Sequence, residues 1–153
     1  MYTEIVPGSL YLDDLKVGDV FRSRSHGIDE AQILAFAGEF DPQRFHLNDA
    51  AARDSVFKGL AASGWHTAAI TMRLLVESLP LADGLIGAGV DVSWPQPTRP
   101  GDALRVETTI QDIRPSRSKP GQGMVLFETL TLNQKDEIVQ RMVSKNIVYR
   151  RRG

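Results

Sequence analysis

Two short stretches hold the side chains best suited to chemistry. Phe40-Asp41-Pro42-Gln43-Arg44-Phe45-His46 sets a carboxylate and an imidazole five residues apart across a proline-broken turn. Held rigidly, with both side chains directed into one cleft, such a pair can bind and polarise a water. One group accepts a proton while the other donates or orients. The second stretch is Ala61-Ala62-Ser63-Gly64-Trp65-His66-Thr67, at the start of a long apolar helix. Ser63 suits the N-cap, and Gly64 permits close approach to the backbone. The free N–H groups and positive dipole end there suit a developing oxyanion, such as the enolate of a thioester. Both stretches have plainer uses: Asp before proline builds turns, and Ser-Gly starts many helices.

Other residue types narrow the chemistry. With no cysteine, disulfides, thiol catalysis, iron–sulfur ligation and Cys-based zinc sites are excluded. His26, His46 and His66 are too dispersed for a HExxH-type metal site. His66, one turn inside the helix, reads as a polar core or interface residue, and His26 as a solvated strand residue. The balance of 18 basic against 19 acidic residues gives a net charge of -1, so no field points to nucleic acid. Met1–Leu12 has no apolar segment of the secretory kind, and no run approaches the roughly 18 apolar residues of a membrane span. With 153 residues, 42% hydrophobic and 24% charged, the expectation is one soluble, cytoplasmic domain spanning residues 1–153.

The elements that must position these residues follow from periodicity. Val20–Ile28 reads as a strand after the Val17-Gly18-Asp19 turn. Asp29 and Gln32 form a capping box for a helix over Glu30–Glu39, where Ile33, Phe36, Ala37 and Phe40 recur at helical spacing. Pro42 cannot continue it, which leaves Asp41–Leu47 as a short exposed loop, with Asn48 or Asp49 capping a second helix to about Asp54. Gly64–Leu79 reads as a helix with Trp65, Ala68, Ala69, Met72, Leu75, Val76 and Leu79 on one continuous face, widened by Ile70 and Leu74. Apolar over most of its circumference, it is expected to be enclosed. Beyond Pro80 the period changes to two, giving strands at Val90–Trp94, Leu104–Gln111, Met124–Leu132 and Ile138–Tyr149. A buried helix followed by antiparallel strands implies an α+β architecture, a sheet wrapped around a central helix.

Asp41-Pro42-Gln43-Arg44-Phe45-His46 resembles the Asp-x-Asn-Pro-x-His signature of MaoC-like dehydratases, the (R)-specific enoyl-CoA hydratases of the hot-dog fold. Ser63-Gly64-Trp65 is similar to that family's helix-start segment, and Val92–Pro97 with Pro100-Gly101-Asp102 resembles its Phe-x-x-Pro-Val-x-x-Gly-Asp stretch. The resemblance runs in order from about Leu15 to Tyr149. It departs at Gln43-Arg44, which replaces Asn-Pro, and at Met72, where some relatives carry serine. It implies Asp41 and His46 as the catalytic pair, with Gly64 N–H facing the thioester oxygen. Ser63, Trp65, Gln43 and Phe45 would line the substrate. The implied reaction is the reversible hydration of a 2-enoyl-CoA, with acyl-CoA as the partner molecule and no metal or other cofactor. The competing expectations are a hot-dog thioesterase, which needs a carboxylate on the central helix where only Glu77 stands, and a non-catalytic acyl-CoA-binding module. The basic loop Arg114–Lys119 suits a solvated turn better than a phosphate site. An uncovered strand edge and helix face imply a homodimer or a multiple of one.

Overall fold

The computed structural model describes residues 8–152. Most of the Met1–Leu12 stretch read for a leader therefore lies outside the described residues. A 3₁₀ turn at Leu12–Asp14 leads into two short strands, β1 (Val20–Arg22) and β2 (His26–Gly27). Helices α1 (Glu30–Phe40), α2 (Arg44–Leu47), α3 (Asp49–Arg53) and α4 (Gly64–Ser78) come next. Strands β3 (Ile86–Ser93), β4 (Ala103–Pro115), β5 (Gln122–Leu132) and β6 (Ile138–Tyr149) complete the fold. The sheet is antiparallel in the order β1-β4-β5-β6-β3, with β2 also on β4. Among the described residues no helix is long and apolar enough to cross a membrane.

The single strand expected over Val20–Ile28 is two. At Ser23 the hydroxyl oxygen takes the Val106 N–H at 2.9 Å, a bond the ladder would otherwise give to a backbone carbonyl. That substitution ends β1, and pairing to β4 resumes at His26. The α1 capping box forms as the sequence implies: Asp29 accepts from Gln32 N and Gln32 returns the bond to Asp29 N. Asn48 caps α3 through Ala51 N.

Helix α4 lies against the sheet through Thr67, Ile70, Thr71, Leu74 and Leu75. Its N-terminal half packs with Ile28, Ile33, Leu60, Leu104, Val106 and Val139, and its C-terminal half with Leu12, Ile110, Val125, Phe127 and Val148. A full helical turn of apolar burial on this scale contributes about 1.5–3 kcal/mol per large side chain. The two apolar clusters meet at a polar belt. Thr108 bonds Thr129 at 3.1 Å, Thr71 bonds Thr131 at 2.6 Å, and Gln140 donates to Thr71 at 3.1 Å, all buried.

The expectation of an enclosed helix is corrected within the single chain. Trp65, Met72 and Val76 stand 61%, 44% and 49% exposed, one stripe of α4 that the sheet leaves open. The reason is geometric: one sheet face covers roughly half of a helix surface, so the second apolar face stays outside. Strand β3, at the sheet edge, is exposed over most of its length.

Candidate functional site

The Asp41–Leu47 segment departs from the exposed loop expected. After Pro42 the chain turns once more as helix, over Arg44–Leu47, and this turn rotates His46 inward until it is 4% exposed. Asp41 terminates α1 as its C-cap, its N–H bonded to the Ala37 carbonyl at 2.9 Å. Pro42 separates two helical turns of different direction, and so aims the carboxylate and the imidazole at one point. Nε2 of His46 lies 3.3 Å from Oδ2 of Asp41.

Each member of the pair is fixed from behind. Nδ1 of His46 lies 2.6 Å from the Ala61 carbonyl. A carbonyl only accepts, so the Nδ1 proton is held there and Nε2 is the atom free to gain or lose one. Phe45 meets the ring edge-on at 4.6 Å and Phe57 packs at 5.8 Å. Asp41 Oδ2 accepts from the Ser63 hydroxyl at 2.7 Å, and Oδ1 accepts from the Gln43 amide at 2.6 Å. Burial by itself pushes the Asp41 pKa up, but the Ser63 and Gln43 hydrogen bonds and the His46 charge outweigh it. The carboxyl is held below its ordinary value. Asp41 is therefore ionised near neutrality.

Ser63 links this pair to the helix end. While donating to Asp41, its oxygen accepts the Trp65 N–H at 3.3 Å as the N-cap of α4. Among the hydrogen bonds of the described residues none takes the Gly64 N–H, at the first position of the helix. The close approach that Gly64 permits is made by the protein itself. A Cβ there would fall 2.6 Å from Cε2 of Trp94, so any side chain would displace the indole.

Asp41, His46 and Gly64 open on a cavity of about 510 Å³ whose further walls include Phe57, Trp65, Thr67, Trp94 and Thr98. Of the residues read as substrate-lining, Gly64 and Trp65 reach this cavity. Ser63, Gln43 and Phe45 stand behind the pair and orient it. His26 is half-buried rather than solvated. His66 turns away from the cavity, stacks on Phe36 at 4.6 Å, and has its pKa lowered by burial and by nearby His26. The Arg114–Lys119 loop does not line the cavity, and Arg114 pairs with Asp112 at 2.7 Å.

Two contributors escape sequence reading. Phe57 belongs to a segment without periodicity, so nothing local marks it. Arg99 donates to the Gly59 and Leu60 carbonyls at 2.8 and 3.2 Å and also to Phe57, clamping the loop that carries Phe57 against the cavity. Its one usable signal is the neighbouring Pro100-Gly101-Asp102 turn, where Gly101 takes a φ of 88° that other residues rarely adopt.

An antiparallel sheet curled about one long helix, with the site at that helix's N-terminus, defines the hot-dog class. Within it, the MaoC-like domain family model matches residues 15–131, and the chain belongs to that family. The crystal structure of a MaoC-like dehydratase from Rhodospirillum rubrum is 61% identical, covers 95% of this chain and 100% of that one, and superposes with a TM-score of 0.93. An (R)-specific enoyl-CoA hydratase of Rhodospirillum rubrum is 30% identical over 108 residues, 70% of this chain and 74% of the relative. The uncharacterized protein YdeM of Bacillus subtilis is 35% identical over 128 residues, 82% of this chain and 89% of its own.

Proposed function

We propose that this protein catalyses the reversible hydration of a 2-enoyl-CoA to a 3-hydroxyacyl-CoA. The observation that carries the reading is the convergence of three groups on one cavity: an ionised Asp41, His46 with Nε2 turned to that carboxylate, and Gly64, whose N–H no protein group takes, at a helix start. Water held by Asp41 and His46 adds its oxygen to C3 while its proton passes to Asp41. The C2–C3 π electrons move toward the thioester, and the enolate oxygen is stabilised by the Gly64 N–H and the α4 dipole. C2 then takes a proton from Nε2 of His46, which enters this step as the imidazolium, with Nδ1–H still on the Ala61 carbonyl. The proton on Asp41 restores His46 across the 3.3 Å between them. One water enters, with oxygen on C3 and hydrogen on C2, and the step is redox-neutral, so no cofactor is required.

The thioesterase alternative needs a carboxylate of the central helix in the site. Glu77 instead pairs with Arg24 and Arg73 at 2.8 and 3.2 Å, outside the cavity. Purified protein given enoyl-CoA and saturated acyl-CoA separates the readings. Loss of enoyl absorbance supports hydration, release of free thiol would replace it with thioesterase, and binding without either would leave an acyl-CoA-binding module.

The same reading includes a homodimer or a multiple of one, in the cytoplasm, where acyl-CoA substrates are found. The open stripe of α4 and the exposed edge strand β3 are the surfaces a second copy would cover. Light scattering should give at least twice 16.9 kDa at micromolar concentration, and a stable monomer would remove this part of the proposal.

A further inference from the structure

Lys58 belongs to the wall of the cavity on which Asp41 and His46 open, and it is exposed to solvent. Its backbone takes a φ of 60°, the left-handed region that a side chain disfavours. Among the described residues Asp136 is the other non-glycine residue with positive φ. Asp136 lies in the turn between β5 and β6, where the short polar side chain of an aspartate tolerates that conformation. Lysine has no such local compensation, and glycine would adopt the same turn without steric cost.

The surrounding bonds impose this geometry. The Lys58 N–H donates to the Ser55 carbonyl at 3.1 Å, and the Leu60 N–H donates to Oδ1 of Asp49 at 3.0 Å. Arg99 donates to the carbonyls of Phe57, Gly59 and Leu60, on both sides of Lys58. The charged groups of the cavity wall are thereby divided. Asp41 is engaged by Ser63, Gln43 and His46, and Arg99 by backbone. Among the described residues no carboxylate forms an ion pair with Lys58. An unpaired lysine is ordinary on a surface. A strained backbone that carries one to a cavity wall is not, because such strain persists where its neighbours over-determine it and concentrates at ligand clamps.

We propose that Lys58 is a substrate-binding residue that takes an anionic group of the thioester at the cavity wall. That group is a phosphate of the CoA moiety or a carboxylate at the far end of the acyl chain. A lysine ammonium serves either one as a point charge. The inference rests on the acyl-CoA reading above and adds to it a second anchor, apart from Asp41 and His46. The pinned loop fixes in advance where the side chain begins, so less freedom is lost on binding.

The test is binding at low ionic strength, measured by calorimetry with butyryl-CoA, butyryl-pantetheine and glutaryl-pantetheine. Pantetheine lacks the CoA phosphates, and the glutaryl thioester carries one negative charge at its acyl end. Lys58→Met keeps the length of the side chain and removes its charge. If the partner is a phosphate, it should weaken butyryl-CoA by about fivefold and leave both pantetheine ligands unchanged. If the partner is a carboxylate, glutaryl-pantetheine alone should weaken by a similar factor. Either loss should shrink at high salt, and Lys58→Arg should keep most of the wild-type affinity. Lys58→Gly should match Lys58→Met in affinity yet melt about 2–4 °C above wild type, since glycine relieves the backbone. Wild type and Lys58→Met binding all three ligands alike overturns the proposal, as does a loss shared equally by all three. A wild type that binds none of them, or a Lys58→Gly protein with no gain in melting temperature, overturns it too. Wild-type binding with the expected loss in Lys58→Met but no hydration of enoyl-CoA defeats the hydratase reading and leaves this one standing.

Discussion

Two polar clusters meet α4, one at its Ser63 cap and one at Thr71, and they differ in what they leave unspent. In the belt of Thr71, Thr131 and Gln140 the bonds run as one chain inside the protein, from the Trp94 indole to Gln140, from Gln140 to Thr71 and from Thr71 to Thr131. Around Asp41 the contacts from Ser63, Gln43 and His46 also saturate one side, yet Asp41, His46 and Gly64 all line a cavity. Both clusters are stable for the same reason, since burial is offset by hydrogen bonds. A closed network holds the core in one arrangement. An open one keeps capacity for a molecule that is not part of the chain.

The largest effect should come from spending the open cluster. Asp41→Asn keeps the shape and the acceptor facing Ser63 but removes the proton acceptor, so kcat for enoyl-CoA hydration should fall by about 10² to 10⁴ with KM little changed. His46→Gln should lose a comparable factor, and the double variant far less than the product, because both act on one water. Steady-state kinetics on the three variants checks this, and additive losses would break the idea that the pair is one device.

Ser63→Ala tests the link between cluster and helix. The hydroxyl bond to Asp41 favours the ionised form, so its removal should raise the Asp41 pKa and move the acid limb of the kcat/KM profile to higher pH. The loss in kcat should be about tenfold, smaller than for Asp41 itself, because the carboxylate remains. Stability carries the same sign. A carboxyl whose folded pKa lies below its unfolded value of about 3.9 contributes above that pH, and the contribution is lost as pH falls through the lowered value. The difference between wild-type and Ser63→Ala melting temperatures should therefore narrow below about pH 4.

The closed cluster should show the reverse pattern and the smallest catalytic effect. Thr71→Val leaves an amide N–H of buried Gln140 without its acceptor, which should cost about 1–3 kcal/mol of stability, visible in a denaturant midpoint. Turnover per folded molecule should change less than for any variant above. If Thr71→Val instead lost kcat as Ser63→Ala does, the division between a structural and a functional cluster would fail.

The sequence alone determined a good deal here. The period-two strands after Pro80, the capping box at Asp29, the Asn48 cap and the Ser63 start of α4 are local features, set by hydrogen bonds and side-chain spacing within a few residues. Asp41 and His46 were legible as a pair because both sit on one short turn. What only the tertiary structure decided depends on contacts across long separations. Burial of His46 needs the Ala61 carbonyl and the Phe57 ring, the clamp on that loop comes from Arg99, and the split of the first strand comes from Ser23 against Val106. The sequence implied an uncovered face of α4 but not which residues form it. Apolar periodicity reports that a face is to be buried but not by what, and one sheet cannot cover a helix that is apolar nearly all round.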